Sequence, residues 1–444
     1  MKRLITSDLI HWRNKKNRKP LIMQGVRQVG KTWVLKEFGK KEFKNCYHLD
    51  FEKDKDIFVQ IFKESISPKE IVINISMFLG VEINPQTDFV IFDEVQNIPR
   101  ALTALKYFCE DMPELAICAS GSLLGVFLSN ESYPVGKVEY LTLYPFSFEE
   151  FLLNYGNDKL YGFYKKGIEE KKNTQFVHNK LIHILREYYV TGGMPEVLNY
   201  YFENKDKKTN IYNDLRKIQN NLLVSYMEDI NKHCEGVNAL HVDSVFNNIP
   251  MQLAETLDGS VKRFKFKGVI PGRKGYAELQ SPINWLLKSG LIIKVQICDR
   301  AELPFKAFAK DNLFKLYIFD VGILGAMLEL SPALILLGDY AITKGFFIEN
   351  YVVIERNNIS ENNLYSWTER NSEIELMTEK NGEFVPVEVK SGLRTKAKSL
   401  AQFIKKYSPN NALILSEKPL ANINEVRKNI PLYYSASIDN FVNA

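Results

Sequence analysis

The chain has 444 residues, of which 45% are hydrophobic, and a net charge of +5 at pH 7; this length predicts several domains, and the weak charge does not by itself indicate a nucleic-acid partner. No apolar run reaches the ~20 residues that span a bilayer, and the first residues lack the apolar core of a signal peptide, so we expect no membrane partner. The five cysteines form no metal or disulfide pattern, and we expect a cytoplasmic protein with reduced thiols.

The first 150 residues alternate short apolar runs with helical patterns. Four of the apolar runs have strand character, namely Pro20 to Gln24, Cys46 to Phe51, Phe89 to Phe92 and Leu115 to Ala119. Such alternation predicts a parallel sheet with crossover helices. Helical patterns continue further along the chain and predict a helical lid, so we expect an α/β domain of the P-loop NTPase type over residues 1–212.

The first predicted strand is followed by a segment that fits G-x-x-x-x-G-K-[ST] and opens a helical pattern, as a phosphate-binding loop requires. The segment consists of Gly25, Val26, Arg27, Gln28, Val29, Gly30, Lys31 and Thr32. Its glycines and backbone amides would surround the phosphates, Lys31 would reach the β and γ phosphates, and the Thr32 hydroxyl would bind Mg²⁺. The sequence therefore predicts ATP and Mg²⁺ as ligands.

Two acids follow the third predicted strand. Asp93 and Glu94 come directly after Phe89 to Phe92, at the edge where ligands of open α/β sheets bind. We expect Asp93 to hold the Mg²⁺ shell and Glu94 to polarise the attacking water in ATP hydrolysis, with Lys31 as the second catalytic residue. The next strand leads into Ser120, for which a γ-phosphate sensor and a plain serine turn remain alternatives.

These motifs and several later stretches resemble the AAA-like ATPases of bacteria and archaea that carry a C-terminal domain of unknown function. The stretches are residues 25–32, FDEVQ at 92–96, SGS at 120–122, LYPFSFEEF at 143–151, GGMPE at 192–196 and KLYIFD at 315–320. The resemblance implies ATP binding but no settled biological role. Such ATPases often complete their site with an arginine from a neighbouring subunit, so a homo-oligomer and an unknown protein partner both remain open.

Helical patterns dominate residues 213–330. A helical pattern from Tyr276 to Leu287 leads into two strand patterns, Leu291 to Ile297 and Leu313 to Phe319. Helices followed by a small hairpin predict a winged-helix-like domain. The stretch 262–274 before them interleaves basic residues with two phenylalanines, which is typical of a DNA contact and also of a solvated face on a protein-interaction domain. DNA is therefore the expected macromolecular partner, with a protein as the alternative.

Residues 331–444 show a third pattern, which predicts a small α/β domain of the restriction-endonuclease-like type. Strand patterns flank Asn381-Gly382, the strongest short signal for a two-residue hairpin turn. Counting outward from this turn places Glu375 directly opposite Glu388. Two facing carboxylates repel each other unless a cation or a lysine joins them.

Two further charged residues complete this predicted constellation. Lys390 would lie on the same face of the strand as Glu388. Glu349, on the preceding helix, would be the third acid of the site beside Glu375 and Glu388. A helix glutamate, a strand acid and Glu-x-Lys resemble the core of PD-(D/E)xK nucleases, which implies that the acids bind one or two Mg²⁺ ions and that the lysine acts on the attacking water. An inactive nuclease-like scaffold is the alternative, because this short pattern has low specificity.

Two functional hypotheses follow from the sequence. In the first, ATP binding and hydrolysis move a DNA-directed half built of the winged-helix-like and nuclease-like domains. In the second, the chain is a regulatory switch that binds ATP, turns it over poorly, and uses its later domains to hold protein partners. Stimulation of ATP turnover by DNA would favour the first.

Overall fold

The computed structural model describes residues 1–121, 136–207, 209–234, 237–255, 263–340, 343–360, 363–369, 372–392 and 397–442, with the backbone alone at residues 237 and 238. The chain divides into two units, Met1–Tyr144 with Lys288–Gly290, and Pro145–Leu287 with Leu291–Ala444. No helix in the described ranges is both long and apolar enough to cross a membrane.

The first unit contains a five-stranded sheet. Its strands are β1 (Leu21–Gln24), β2 (Asn45–Asp50), β3 (Asp88–Asp93), β4 (Ala116–Ser120) and β5 (Glu139–Thr142), in the order β2-β3-β4-β1-β5. All neighbouring strands are parallel, which confirms the predicted parallel sheet. β5 was not predicted, because its residues alternate between half-buried and exposed and form no apolar run.

Helices connect and cover these strands. In the described part of this unit they are α1 (Thr6–Asn14), α2 (Lys31–Glu42), α3 (Lys55–Glu64), α4 (Pro68–Leu79) and α5 (Pro99–Asp111). α4 and α5 begin with proline. Proline lacks a backbone N–H, and at the first position of a helix this costs no hydrogen bond, because N–H groups there have no partner within the helix. The ring of Phe92 in β3 lies 5.8 Å from Phe62 of α3 and 6.1 Å from Phe108 of α5, measured between centroids. This packing fixes the strand that ends at Asp93.

The second unit combines many helices with a larger sheet. Its described α-helices are α6 (Phe148–Asn154), α7 (Asp158–Glu169), α8 (Gln175–Thr191), α9 (Pro195–Asn204), α10 (Ile211–His233), α11 (Val237–Glu255), α12 (Tyr276–Ser289), α13 (Val321–Met327), α14 (Pro332–Leu337), α15 (Lys344–Asn357) and α16 (Lys398–Tyr407). α6 begins at a capping box, in which Ser147 and Glu150 each accept the backbone N–H of the other. Such a box satisfies two N–H groups that the helix leaves without partners. The predicted helix Tyr276 to Leu287 is confirmed as α12.

The sheet of the second unit has eight strands. They are β6 (Ile292–Cys298), β7 (Ala309–Ile318), β8 (Leu364–Glu369), β9 (Ser372–Lys380), β10 (Glu383–Val389), β11 (Ala412–Ser416), β12 (Ala421–Asn422) and β13 (Arg427–Pro431). Their order is β12-β13-β11-β10-β9-β8-β6-β7. β6 is antiparallel to β7 and parallel to β8, so the sheet is mixed.

This sheet contains strands that the sequence assigned to two different domains. The two strands predicted as the wing of a separate winged-helix domain are β6 and β7, and they share one sheet with strands of the predicted third domain. The winged-helix prediction is not confirmed, because β6 takes a second hydrogen-bonding partner in β8, with Val295 opposite Leu364. Both predicted boundaries, after residues 212 and 330, fall inside the second unit.

The helices predicted as a lid on the first domain also belong to the second unit. The backbone N–H of Phe148 donates to the buried carboxylate of Glu355 in α15 at 2.9 Å. His178 Nδ1 in α8 lies 3.0 Å from the hydroxyl oxygen of Tyr433. These bonds join α6 and α8 to α15 and to the last described residues of the chain. They explain why the helices group with the C-terminal half.

Three of the stretches that carry the family resemblance meet in the second unit. The N–H of Gly193 donates to Asp320 Oδ2 at 2.6 Å, while the carbonyl of Gly193 accepts the N–H of Phe146 at 2.8 Å. The other carboxylate oxygen of Asp320 accepts the N–H of Ile323 at 2.9 Å and caps α13. Burial raises the pKa of Asp320 to about 6, although these backbone N–H groups oppose the rise. These stretches therefore stabilise the fold of this unit.

Gly193→Ala is expected to destabilise the second unit. A Cβ at residue 193 would lie 2.2 Å from the carbonyl oxygen of Phe146, so backbone must move at a cost of about 1–3 kcal/mol. Gly162→Ala is the matched control, because Gly162 lies in α7 with nothing within 4 Å of an added Cβ, and alanine favours a helix by about 1 kcal/mol. Urea unfolding should show opposite signs for the two variants. Unchanged stability of Gly193→Ala would contradict the close approach.

Candidate functional site

The predicted phosphate loop joins the end of β1 to the start of α2. Its backbone takes left-handed angles at Gln28, with φ 64°, and at Gly30 before α2, with φ 94°. Gly25 has φ 146°, and a Cβ there would lie 2.3 Å from the carbonyl oxygen of Leu143. Glycine at residue 25 is therefore required, because the loop passes directly against the backbone that follows β5.

Lys31 is buried within this loop and is only 7% exposed. Its ammonium donates to the carbonyl oxygens of Gly25 at 2.8 Å and Val26 at 3.1 Å. Burial lowers the pKa of Lys31 to about 8, against the opposing effect of the Glu94 and Asp93 carboxylates. A bound phosphate would favour the charged ammonium, since an opposite charge nearby stabilises the ionised form.

Three side chains donate hydrogen bonds to Asp93 at the end of β3. The Thr32 hydroxyl lies 2.8 Å from Oδ2, the Ser120 hydroxyl lies 2.6 Å from Oδ1, and His48 Nε2 lies 2.9 Å from Oδ2. Burial alone would raise the pKa of Asp93, but these bonds hold that pKa below its ordinary value. An ionised carboxylate beside the Thr32 hydroxyl fits Mg²⁺, which prefers hard oxygen ligands.

Glu94 follows Asp93 in a left-handed backbone conformation, with φ 51°. The side-chain amide of Gln96 donates a hydrogen bond to the Glu94 carboxylate. Burial raises the pKa of Glu94, the charge of Asp93 adds to the rise, and Lys31 and the Gln96 bond oppose it. A carboxylate with a raised pKa is a better general base than an ordinary one.

The residues predicted from the two N-terminal motifs therefore lie together at one edge of the first sheet. Ser120 lies there as expected and donates to Asp93, whereas Ser122 of the same stretch lies outside the described residues. His48 was missed by the sequence reasoning. Its place depends on β2 lying beside β3, where His48 pairs with Ile91, and strand order cannot be derived from a local pattern.

The C-terminal hairpin has the predicted register. Glu383 pairs with Lys380, and further along the same ladder Val387 pairs with Leu376, so the next position brings Glu388 opposite Glu375. The turn residues have φ 54° and 78°, as a two-residue turn of this hand requires. The hairpin prediction is confirmed.

Of the four residues predicted for the C-terminal site, Glu375, Glu349 and Lys390 all influence the pKa of the fourth, Glu388. Lys390 forms an ion pair with Glu388, and Glu375 accepts the backbone N–H of Val389 at 3.0 Å. Glu388 is 2% exposed, and one of its carboxylate oxygens has no hydrogen-bonding partner. Burial raises the pKa of Glu388 to about 8; the charges of Glu375 and Glu349 add to the rise, and Lys390 opposes it.

A lysine missed by the sequence reasoning also lies in this cluster. Lys315 of β7 donates to Glu349 at 3.0 Å and forms an ion pair with Glu373. The hydroxyl of Tyr317 donates to the same oxygen of Glu349 at 2.5 Å. Within the described ranges, no group of three or more histidine, cysteine, aspartate or glutamate side chains is arranged to hold a metal ion. The predicted divalent-cation site at Glu388 stays a prediction.

The basic stretch 262–274 is partly neutralised by nearby acids. Lys265 lies 3.8 Å from a carboxylate oxygen of Glu255, and Arg273 lies 3.3 Å from one of Glu278. The first residue of the stretch falls outside the described ranges. DNA binding by this stretch stays a prediction.

Three family profiles match the chain. Residues 17–152 match the AAA domain, residues 182–334 match a domain of unknown function (DUF8612), and residues 344–434 match another (DUF4143). The first match covers the phosphate loop together with Asp93 and Glu94, so the first unit carries an AAA-type domain. The other two descriptions name neither a winged helix nor a nuclease. No curated protein matches the chain.

Solved structures show distant likenesses. The Walker-type ATPase PABY2304 of Pyrococcus abyssi is 15% identical over 74% of this chain and 95% of its own, with a TM-score of 0.43. AMPPCP-bound DnaA from Aquifex aeolicus is 14% identical over 64% and 86%, with a TM-score of 0.28. The Aeropyrum pernix ORC1 protein in complex with DNA is 11% identical over 73% and 90%, with a TM-score of 0.29. TM-scores this low define neither the fold nor the function of the chain.

Proposed function

We propose that the AAA-type domain binds ATP with Mg²⁺ and hydrolyses it. The main support is the convergence of Lys31, Thr32, Asp93 and Glu94 at the carboxyl edge of one parallel sheet. Thr32 donates to Asp93 at 2.8 Å, and the charges of Lys31 and Glu94 act on each other. A phosphate loop beside two acids in this arrangement is the site that P-loop ATPases use.

Each of these residues has a distinct role in the proposed reaction. Backbone N–H groups of the loop and the Lys31 ammonium hold the β and γ phosphates. The Thr32 hydroxyl and Asp93 would hold Mg²⁺, which neutralises phosphate charge when bound. The two further donors to Asp93 keep that carboxylate ionised and oriented. Glu94 orients the attacking water and accepts its proton.

Phosphate release by the purified full chain tests this function. We expect steady release with ATP and Mg²⁺ that stops when EDTA removes the metal. A parallel assay with duplex DNA separates two modes of action, because stimulated turnover favours a DNA-directed switch and unchanged turnover favours a protein-directed one. Absence of both turnover and calorimetric ATP binding would contradict the proposal.

For the second unit, the observations favour a protein-directed switch built on an inactive nuclease-like scaffold. Lys315 supplies a fixed cation next to Glu349 and Glu373, so this part of the cluster needs no metal for neutralisation. Lys390 forms an ion pair with Glu388 and neutralises a further acid of the cluster from within the protein. In this proposal the lysines, rather than a divalent cation, balance the charge of the acids.

Nicking of supercoiled plasmid in the presence of Mn²⁺ tests the inactive scaffold. We expect no nicking by the full chain, since the acids are already neutralised from within the protein. Glu388→Ala serves as the comparison, because contaminating nucleases are insensitive to it. Nicking by the unmodified chain that is lost in Glu388→Ala would restore the DNA-directed nuclease hypothesis.

A further inference from the structure

A groove lies between α7 and α8 in the second unit. It encloses about 730 Å³, and all of its lining residues fall within 157–180. It lies far along the chain from the phosphate loop and shares no residue with the acidic cluster around Glu388. The functions considered so far therefore leave this groove unexplained.

The groove presents apolar surface to solvent. Phe163 is 52% exposed and Phe176 is 81% exposed, while Leu160 and Val177 are buried and also line the groove. These two aromatic rings and two aliphatic side chains line one groove and together make up its apolar patch. Patches of this kind, rimmed by polar residues, mark interaction sites on soluble proteins.

Lysines line the same groove as this apolar patch. Four lysines line the groove, against one glutamate. The glutamate, Glu170, lies 3.4 Å from Lys166. In the described part of the chain no carboxylate lies within 4.0 Å of the other three, which are Lys159, Lys172 and Lys180. The rim is thus positive, and it would attract an acidic partner.

The walls of the groove are held in place by hydrogen bonds. Asn157 caps α7 by accepting the N–H of Leu160 at 3.0 Å, and Thr174 caps α8 by accepting the N–H of Val177 at 3.3 Å. Asn173, between the helices, donates to the hydroxyl of Tyr434 at 2.8 Å. The groove is therefore formed before any partner binds, which lowers the entropic cost of binding.

We propose that this groove binds an acidic amphipathic helix of a partner protein. Such a helix carries apolar side chains at positions i, i+3, i+4 and i+7 on one face. Those side chains would lie on Leu160 and Val177 between the two phenylalanine rings. Glutamates and aspartates on the flanks of the helix would meet Lys159, Lys172 and Lys180.

A protein segment fits this surface better than a single-stranded nucleic acid. Nucleic acids also use lysines and aromatic rings, but they need a basic track that follows the backbone and polar groups that can meet the bases. Here the lysines line the same groove as the apolar patch, and two of the four patch residues are aliphatic. The proposal does not depend on ATP hydrolysis, so it can fail or hold independently of the function proposed for the first unit.

Fluorescence polarisation with the full chain tests the proposal. The probe is a labelled helical peptide with leucine and phenylalanine along one face and glutamate on both flanks. A second peptide carries lysine in place of each glutamate, and a third probe is labelled oligothymidylate. We expect only the acidic peptide to bind, with an affinity that falls as salt is raised, because the rim attraction is screened.

Variants of the rim and of the apolar patch complete the test. We expect the double variant Lys172→Glu/Lys180→Glu and the single variant Phe176→Ser each to weaken binding by about tenfold or more. Lys405→Glu, at an exposed lysine of α16, should leave it unchanged. Phe176 is mostly exposed, so its replacement should preserve the thermal unfolding midpoint. Failure of the acidic peptide to bind, equal binding by both peptides, or tighter oligothymidylate binding lost in the same variants would overturn the proposal.

Discussion

Lys31→Ala is expected to abolish saturable ATP binding and, with it, phosphate release. The change deletes the ammonium that the carbonyl oxygens of Gly25 and Val26 hold inside the loop. A hydrogen bond to a charged group contributes up to about 3 kcal/mol, and Lys31 would contact two phosphates. Affinity for ATP should therefore fall by at least about a hundredfold, as measured by titration calorimetry.

A second lysine of α2 provides the control for this variant. Lys40 is exposed and lies 3.6 Å from Glu37 one helical turn earlier, so Lys40→Ala removes a positive charge from the same helix without touching the loop. Its ATP affinity should equal that of the unmodified chain. Thermal unfolding without nucleotide should confirm that both variants are folded. ATP binding by folded Lys31→Ala at the unmodified affinity would contradict the role of the lysine.

Glu94→Gln is expected to retain ATP binding and to lose hydrolysis. Glutamine keeps the size of the side chain and its contact with Gln96, but it cannot accept the proton of the attacking water. General-base catalysis contributes about 10²- to 10⁴-fold to a rate, so phosphate release should fall by about that factor. ATP affinity should stay within about threefold of the original value, since Glu94 is not expected to contact the phosphates.

Glu52→Gln is the matched control for the loss of a carboxylate. Glu52 is exposed and its charge acts on Glu94 from a distance, so its removal should leave turnover nearly unchanged. Single-turnover phosphate release, measured with enzyme in excess, separates the chemical step from product release. Turnover by Glu94→Gln at the original rate would remove Glu94 from the reaction and leave water activation without a base.

The elements that sequence patterns predicted well are those decided by local chemistry. Apolar runs indicated four strands of the first sheet, and the turn at Asn381-Gly382 set the register between β9 and β10. In both cases the information lies within a few neighbouring residues. The pairing of β6 with β8 joins residues that are far apart in sequence, such as Val295 and Leu364, and no local pattern connects them. Without this pairing, β6 and β7 look like the hairpin of a separate winged helix, which is what the sequence predicted.

The same distinction applies to the candidate sites. Lys31, Thr32, Asp93 and Glu94 were predicted because their motifs carry the chemistry in consecutive residues. His48 and Lys315 reach their sites from neighbouring strands, and each looks like an ordinary residue of a half-buried strand. Lys315 bears most on the C-terminal site, because its ammonium lies 3.0 Å from Glu349, one of the acids for which the sequence predicted a metal.

The contact between α8 and Tyr433, 255 residues later in the chain, bears on the order of folding during translation. The hydrogen bond of His178 to Tyr433 and the pairing of β6 with β8 each need residues that are translated much later. The core of the second unit can therefore be completed only after nearly all of that unit has left the ribosome. Most of the first unit ends at Tyr144 and can form much earlier. Nascent helices of the second unit therefore remain exposed for a long interval, in which chaperones would protect them from aggregation. A stop codon shortly before Tyr433 should yield an unfolded second unit rather than a slightly shorter one.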